Sequence, residues 1–207
     1  PYGDPLNATA AQRLAAFQIR SSDDDAYGAE GLRPVKVHRK SKPWEASWDE
    51  RKPAMHHWIY LILPEALERG RHYRIEIDPA TGSDVAVAEL TFDEFGTESP
   101  AIKISNLGYE ASAPHKCADV YLWMGDGGER DFSRFTGTPW HLVDQDSGEP
   151  VHSGELEFHM ENGPEPRYEV DLTGADVWDC DFSAFSKAGT YRLVIEGIGA
   201  SHPFVIG

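Results

Sequence analysis

Cysteine is nearly missing: only Cys117 and Cys180 occur in 207 residues. Two cysteines without a close pair exclude a cysteine-rich zinc module and a dense disulfide scaffold. What stays open is one Cys117–Cys180 disulfide or two small buried hydrophobes. Long apolar runs are missing as well. No 18 consecutive residues are apolar, so nothing has the length of a bilayer-spanning helix. Basic residues are scarce, 19 Lys and Arg against 35 Asp and Glu, for a net charge of −16. A surface of that sign repels phosphate backbones and anionic headgroups, which argues against nucleic acid and membrane surfaces as partners and leaves neutral glycans permitted. Several catalytic frames are also missing. No glycine-rich loop opens a helix, and no Gly-x-Ser-x-Gly turn presents a nucleophile. The nine histidines include no His-x-His or His-x-x-x-His pair, and the adjacent His56 and His57 point to opposite faces of a strand. No catalytic residue, metal ligand set or cofactor is therefore expected. No signal peptide is visible, and a first residue of Pro1 points to a removed leader or to a piece cut from a longer polypeptide.

What the chain does have is 40% hydrophobic and 11% aromatic residues, with 19 Gly and 14 Pro scattered throughout. That is enough for packed cores punctuated by many turns. Leu6 to Phe17 reads as a short helix or a lead-in to a strand. Phe17 to Arg20 then alternates with period two, and Asp23-Asp24-Asp25 follows as a solvated acidic loop. Val35 and Val37 mark another strand, and Arg39 to Met55, rich in Lys, Pro and Trp, reads as a long loop. Trp58–Leu63, Tyr73–Ile77 and Val85–Phe92 complete a first set of strands. A second set comprises Ala101–Ser105, Asp119–Met124, Trp140–Val143, Val151–Gly154, Leu156–Met160, Arg167–Leu172, Tyr191–Glu196 and Pro203–Ile206. Short strands with turn signals every 8–12 residues or so predict β-sandwiches rather than βαβ units.

One feature repeats. Leu67 to Tyr73 and Phe185 to Tyr191 each run from an apolar residue through a glycine to a tyrosine entering an alternating strand. This is the pattern of a tyrosine corner, in which the ring enters the core and the hydroxyl bonds nearby backbone. Such a corner occurs about once per sandwich. The expectation is therefore two consecutive immunoglobulin-like or fibronectin-like β-sandwich domains, residues 1–98 and 99–207, joined at Gly96 to Pro100.

Two groups could bind something. Trp44 and Trp48, beside Glu45 and Asp49, offer ring faces for sugar stacking and carboxylates for sugar hydroxyls; the same rings would serve equally to pin the loop onto a sandwich. Asp23-Asp24-Asp25, and Asp179 with Asp181, could supply oxygens to a structural Ca²⁺, against the simpler reading of solvated or capping carboxylates. Trp58, Trp123 and Trp178 fall in strand patterns and read as core, and Trp140 as core or edge.

The second half resembles the immunoglobulin-like module that precedes the catalytic barrel of many glycoside hydrolase family 9 enzymes, the cellulase-type endoglucanases. The resemblance rests on the opening Ile104-Ser105-Asn106-Leu107-Gly108-Tyr109 with Pro114 and Lys116 after it. Asp146-Ser147-Gly148 and Val151-His152-Ser153-Gly154 match in the middle. The close is Asp181-Phe182-Ser183, Phe185, Gly189-Thr190-Tyr191 and Ser201-His202-Pro203-Phe204-Val205-Ile206. Ser105 and Asn106 depart from the usual Asn and Gln of the opening motif. The resemblance covers about residues 101–207 and implies a non-catalytic accessory region of a secreted or periplasmic polysaccharide-degrading enzyme. Its partner would be a C-terminal catalytic domain of the same polypeptide, and Gly108, Tyr109, Asp181, Phe182, Gly189, Tyr191 and Phe204 would be structural, as Tyr73 is expected to be from its corner pattern alone. An accessory role of this kind predicts an exposed apolar patch around Phe204 and Ile206. Two other readings stay open, a carbohydrate-binding module and an extracellular adhesion or scaffold protein of tandem sandwiches.

Overall fold

The structure is a computed structural model that describes residues 5–47, 52–164 and 171–207. It is nearly all-β, as the turn spacing predicts, and it divides into two compact units. The first comprises Pro1–Phe92 together with Met124–Gly127, and the second Asp93–Trp123 with Gly128–Gly207. Among the described residues no helix is long and apolar enough to cross a membrane.

The first unit opens with the one-turn helix α1 (Ala8–Ala11), capped by the Asn7 side chain, which accepts from Ala10 N at 3.1 Å. Its strands are β1 (Phe17–Ser21), β2 (Lys36–Ser47), β3 (Lys52–Ile62), β4 (His72–Ile77) and β5 (Val87–Thr91). They form an antiparallel sheet in the order β1-β4-β5 and a separate hairpin β2-β3. The period-two pattern of β1 does what it predicts: Phe17, Ile19 and Ser21 are buried, paired with Ile77, Ile75 and Tyr73.

The hairpin is a correction. Arg39 to Met55 reads as a loop, yet residues 39–47 and 52–55 are ladder, with pairs running from Lys36↔Ile62 to Ser47↔Lys52. Lysine and proline have low strand propensity, and a two-stranded hairpin exposes edges where such residues are tolerated and discourage edge-to-edge aggregation. One face of it carries Ile59 and Leu61. With Phe17, Ile75, Ile77 and Ala88 they line an apolar cleft of about 200 Å³.

The second unit contains β6 (Ile102–Lys103), β7 (Cys117–Val120), β8 (Pro139–Asp144), β9 (Pro150–Glu155), β10 (Glu157–Met160), β11 (Val177–Asp181), β12 (Gly189–Ile195), β13 (Gly199–Ala200) and β14 (Phe204–Ile206). Two sheets result, β10-β11-β7-β6 and β13-β12-β8-β9, with β14 added to β12. Their facing residues make one continuous core, including Val120, Trp140, Leu142, Trp178, Leu193 and Phe204. That is a β-sandwich.

Three further expectations change. Trp178 and Trp140 are core, but Trp123 is exposed and meets Glu129 in an isolated bridge. Phe204 and Ile206 are buried, so the patch expected at the end of the chain is absent; the strand alternates, and Val205 between them faces out. Positions 167–170 of the strand expected at Arg167–Leu172 lie outside the described residues, and Asp171 and Leu172 are not in a strand.

Candidate functional site

The opening and closing motifs of the second unit meet. Tyr109 N donates to Val205 O at 2.9 Å, Gly207 N donates to Tyr109 O at 3.0 Å, and Tyr109 bridges Ile206 in parallel. Gly108 makes this approach possible: its φ is +79°, and a Cβ there would run into the Val205 carbonyl. The Tyr109 hydroxyl donates to Cys117 O at 2.6 Å, while its ring packs edge-on against Phe182 (5.2 Å) and Phe204 (5.8 Å). Burial raises the Tyr109 pKa above the ordinary phenol value.

Asp181 accepts from Ser183 N at 2.8 Å, and these bonds to Ser183 hold its pKa below the ordinary carboxylate range. Ser183 Oγ in turn accepts from Lys116 N at 3.0 Å. The Lys116 ammonium is fully buried and donates to Ala113 O at 2.8 Å and Ala111 O at 3.3 Å. The Asp-Phe-Ser motif is thus a turn bolted to the lysine segment.

The tyrosine corners differ. Tyr191 Oη donates to Lys187 O at 3.1 Å or Ala188 O at 3.3 Å, and a Cβ on Gly189 would lie 2.6 Å from that oxygen. Tyr73 Oη accepts from Glu68 N at 2.8 Å and donates to the buried Asp24 carboxylate at 2.6 Å. Burial, then the bond to Asp24, pushes the Tyr73 pKa up to about 12. The acidic loop is accordingly not solvated throughout: Asp24 also accepts from Ala26 N, and Asp23 accepts from His72 N. Of these donors, His72 N and the Tyr73 hydroxyl are ones that the bare sequence could not bring near.

Strand register decides the cysteines. Cys180 pairs with Ala118 and Cys117 with Asp181, so the two thiols point to opposite faces of one sheet, Cys180 inward and Cys117 outward. They are free, and the open disulfide reading is corrected. On the outer face Asp179 pairs with Asp119, lies near His159 (3.6 Å) and has its pKa raised, first by burial. No group of three or more potential metal ligands exists among the described residues.

Trp44 lies on β2 rather than in a loop and is 71% exposed; Trp48 lies outside the described residues. It is the extra residue of a bulge between Pro43↔Met55 and Glu45↔Ala54. Its ring meets His56 edge-on at 5.6 Å, and His56 stacks on Trp58 at 4.2 Å and 7°. Trp58, expected in the core, is instead half-buried on this face, and His56, considered from the sequence only as a metal ligand, is its stacking partner. Their spacing of two on one strand is the signal, visible only once the segment is known to be a strand.

The family model of the cellulase N-terminal immunoglobulin-like domain matches residues 97–200. The chain belongs to that family. Within this cellulase N-terminal immunoglobulin-like domain lie Gly108, Tyr109, Asp181, Phe182, Gly189 and Tyr191, while Phe204 lies just beyond the match. Similar solved structures include a metagenome-derived glycoside hydrolase family 9 endoglucanase (25% identity, 51% of this chain and 18% of that one, TM-score 0.37). A Bacteroides ovatus GH9 protein is another (23% identity, 51% of this chain and 15% of that one, TM-score 0.36). This chain thus spans less than a fifth of the length of these structures. No curated protein matches.

Proposed function

We propose that this chain is the non-catalytic N-terminal accessory region of a secreted or periplasmic glycoside hydrolase that degrades polysaccharide. It is organised as two sandwich domains, residues 1–98 and 99–207, and braces a catalytic domain of the same polypeptide. The observation that carries this reading is the family match over residues 97–200. The structural motif residues support it. Tyr73 and Tyr191 close corners, Gly108 and Tyr109 join the two ends of the second domain, Phe182 and Phe204 lie in its core, Asp181 holds the turn to Ser183, and Gly189 leaves room for the Tyr191 hydroxyl. Removing residues 99–207 from the full polypeptide is expected to lower the melting temperature of the catalytic part and its hydrolysis of soluble cellulose derivatives. This chain alone should release no reducing sugar. Unchanged melting and turnover after the deletion, or turnover by this chain alone, would defeat the proposal.

Contact with polysaccharide is a second part of the reading, favoured by Trp44, which is 71% exposed and so leaves indole surface available for sugar stacking.

A further inference from the structure

The β2-β3 hairpin has two unlike faces. One carries Ile59 and Leu61 toward the apolar cleft. The other carries Lys40 opposite Trp58 and Lys42 opposite His56, with Trp44 next along the strand. On this second face Trp58 and His56 stack like adjacent books, Lys40 Nζ lies 6.0 Å from the centroid of Trp58, and the edge contact with His56 holds Trp44. The indole of Trp44 is thereby fixed at a bulge with most of its surface in water, a costly exposure for so large an apolar group.

Charge separates in the same place. The described hairpin strands, 36–47 and 52–62, contain five Lys or Arg against one Glu, while the rest of the chain has 14 against 34. The hairpin carries a net positive charge on a strongly acidic protein, with Asp126 against His38 at one end and Glu45 beside Trp44. Long-range repulsion by that protein is screened beyond about 8 Å at physiological salt, so the local sign governs what docks here.

We propose that this face binds an acidic polysaccharide, one sugar ring lying on Trp44 and a uronate carboxylate meeting the exposed Lys42. The ring needs a flat, fixed aromatic surface, which Trp44 supplies, held by His56 on the His56–Trp58 stack. The carboxylate needs an unburied cation beside it, which β2 places two residues from Trp44 on the same face. This rests on the polysaccharide-contact reading and names its substrate class; it is independent of the bracing role.

Calorimetric titration of the full chain with oligogalacturonate, a neutral cello-oligosaccharide of equal length and polyglutamate separates the possibilities. Oligogalacturonate should bind, more weakly as salt rises. Trp44→Ala should weaken it about tenfold, and Lys42→Glu comparably while flattening the salt dependence. Both variants alter exposed side chains and should melt like the parent. Equal affinity for the neutral oligosaccharide, unaffected by Lys42→Glu, would overturn the acidic-sugar assignment and leave polysaccharide contact standing. Polyglutamate binding as tightly would overturn sugar stacking. Binding of none of the three would end both readings.

Discussion

The two units solve the same problem with different cores. In the second, aromatic and aliphatic residues from both sheets interlock, with Phe182 touching Tyr109, Trp140 and Phe204. In the first, the buried cluster is Ile19, Tyr27 and Tyr73, surrounded by half-buried residues and bordered by the apolar cleft. The second unit gains from dense packing, whereas the first leans on specific hydrogen bonds. Tyr27 stands edge-on to Tyr73 at 5.4 Å and donates to Glu65 O, and Tyr73 is tied to Asp24. Where packing is sparse, polar satisfaction carries a larger share of stability.

Deletions at matched positions would break or sharpen that contrast. Phe182→Ala should cost about 3–5 kcal/mol, because it empties the centre of a filled core. Ile59→Ala, which borders space already unfilled, should cost about 1 kcal/mol. Site-resolved amide exchange would report each loss, on β12 for the first variant and on β3 for the second. Equal losses would show that the first unit is packed as tightly as the second.

The corners come next. Tyr73→Phe strands a buried carboxylate and an amide, so about 1–3 kcal/mol is expected; Tyr191→Phe removes a bond to carbonyls that have other solvation, for about 0.5–1.5 kcal/mol. Denaturant midpoints that rank the two variants the other way would contradict the contrast.

Alkali tests the same bond. A Tyr73 pKa of about 12 exceeds its unfolded value near 10, so the folded state keeps a proton that the unfolded state loses first. Its contribution is complete below pH 10 or so and disappears as pH rises through about 12. Tyr73→Phe should flatten that alkaline decline in a melting-temperature series.

The smallest effect concerns the thiols. A maleimide should label Cys117 in the native state and Cys180 only after unfolding, with Cys117 slow because burial and nearby Asp119 raise its pKa. Intact mass should show no native disulfide.

The legible parts of this fold are those whose chemistry is local. Asp181 and Ser183 are two residues apart and bond each other, and Gly189 is small because the Tyr191 hydroxyl lies against it, so their spacing survives as a motif. The far half of the hairpin hid because residues 39–47 gain their strand from partners 5 to 20 residues away, as the Ser47↔Lys52 and Arg39↔Ile59 pairs show, with no alternating apolar face there to announce it. Asp24 hid for a similar reason: its partner Tyr73 is 49 residues off, and an acidic triplet looks the same in water or in a core. The Trp44 site was half visible, as a suspicious exposed indole without the His56 and Trp58 that hold it.

The parallel join between Tyr109 and β14 has a mechanical side. β14 is gripped by β12 running one way and by the Tyr109 segment running the other. Tension applied to Gly207 along the strand would load the Tyr109–Val205, Tyr109–Gly207 and Ala111–Gly207 bonds together, in shear, rather than opening them one after another. The last strand is a clamp suited to transmitting a pull.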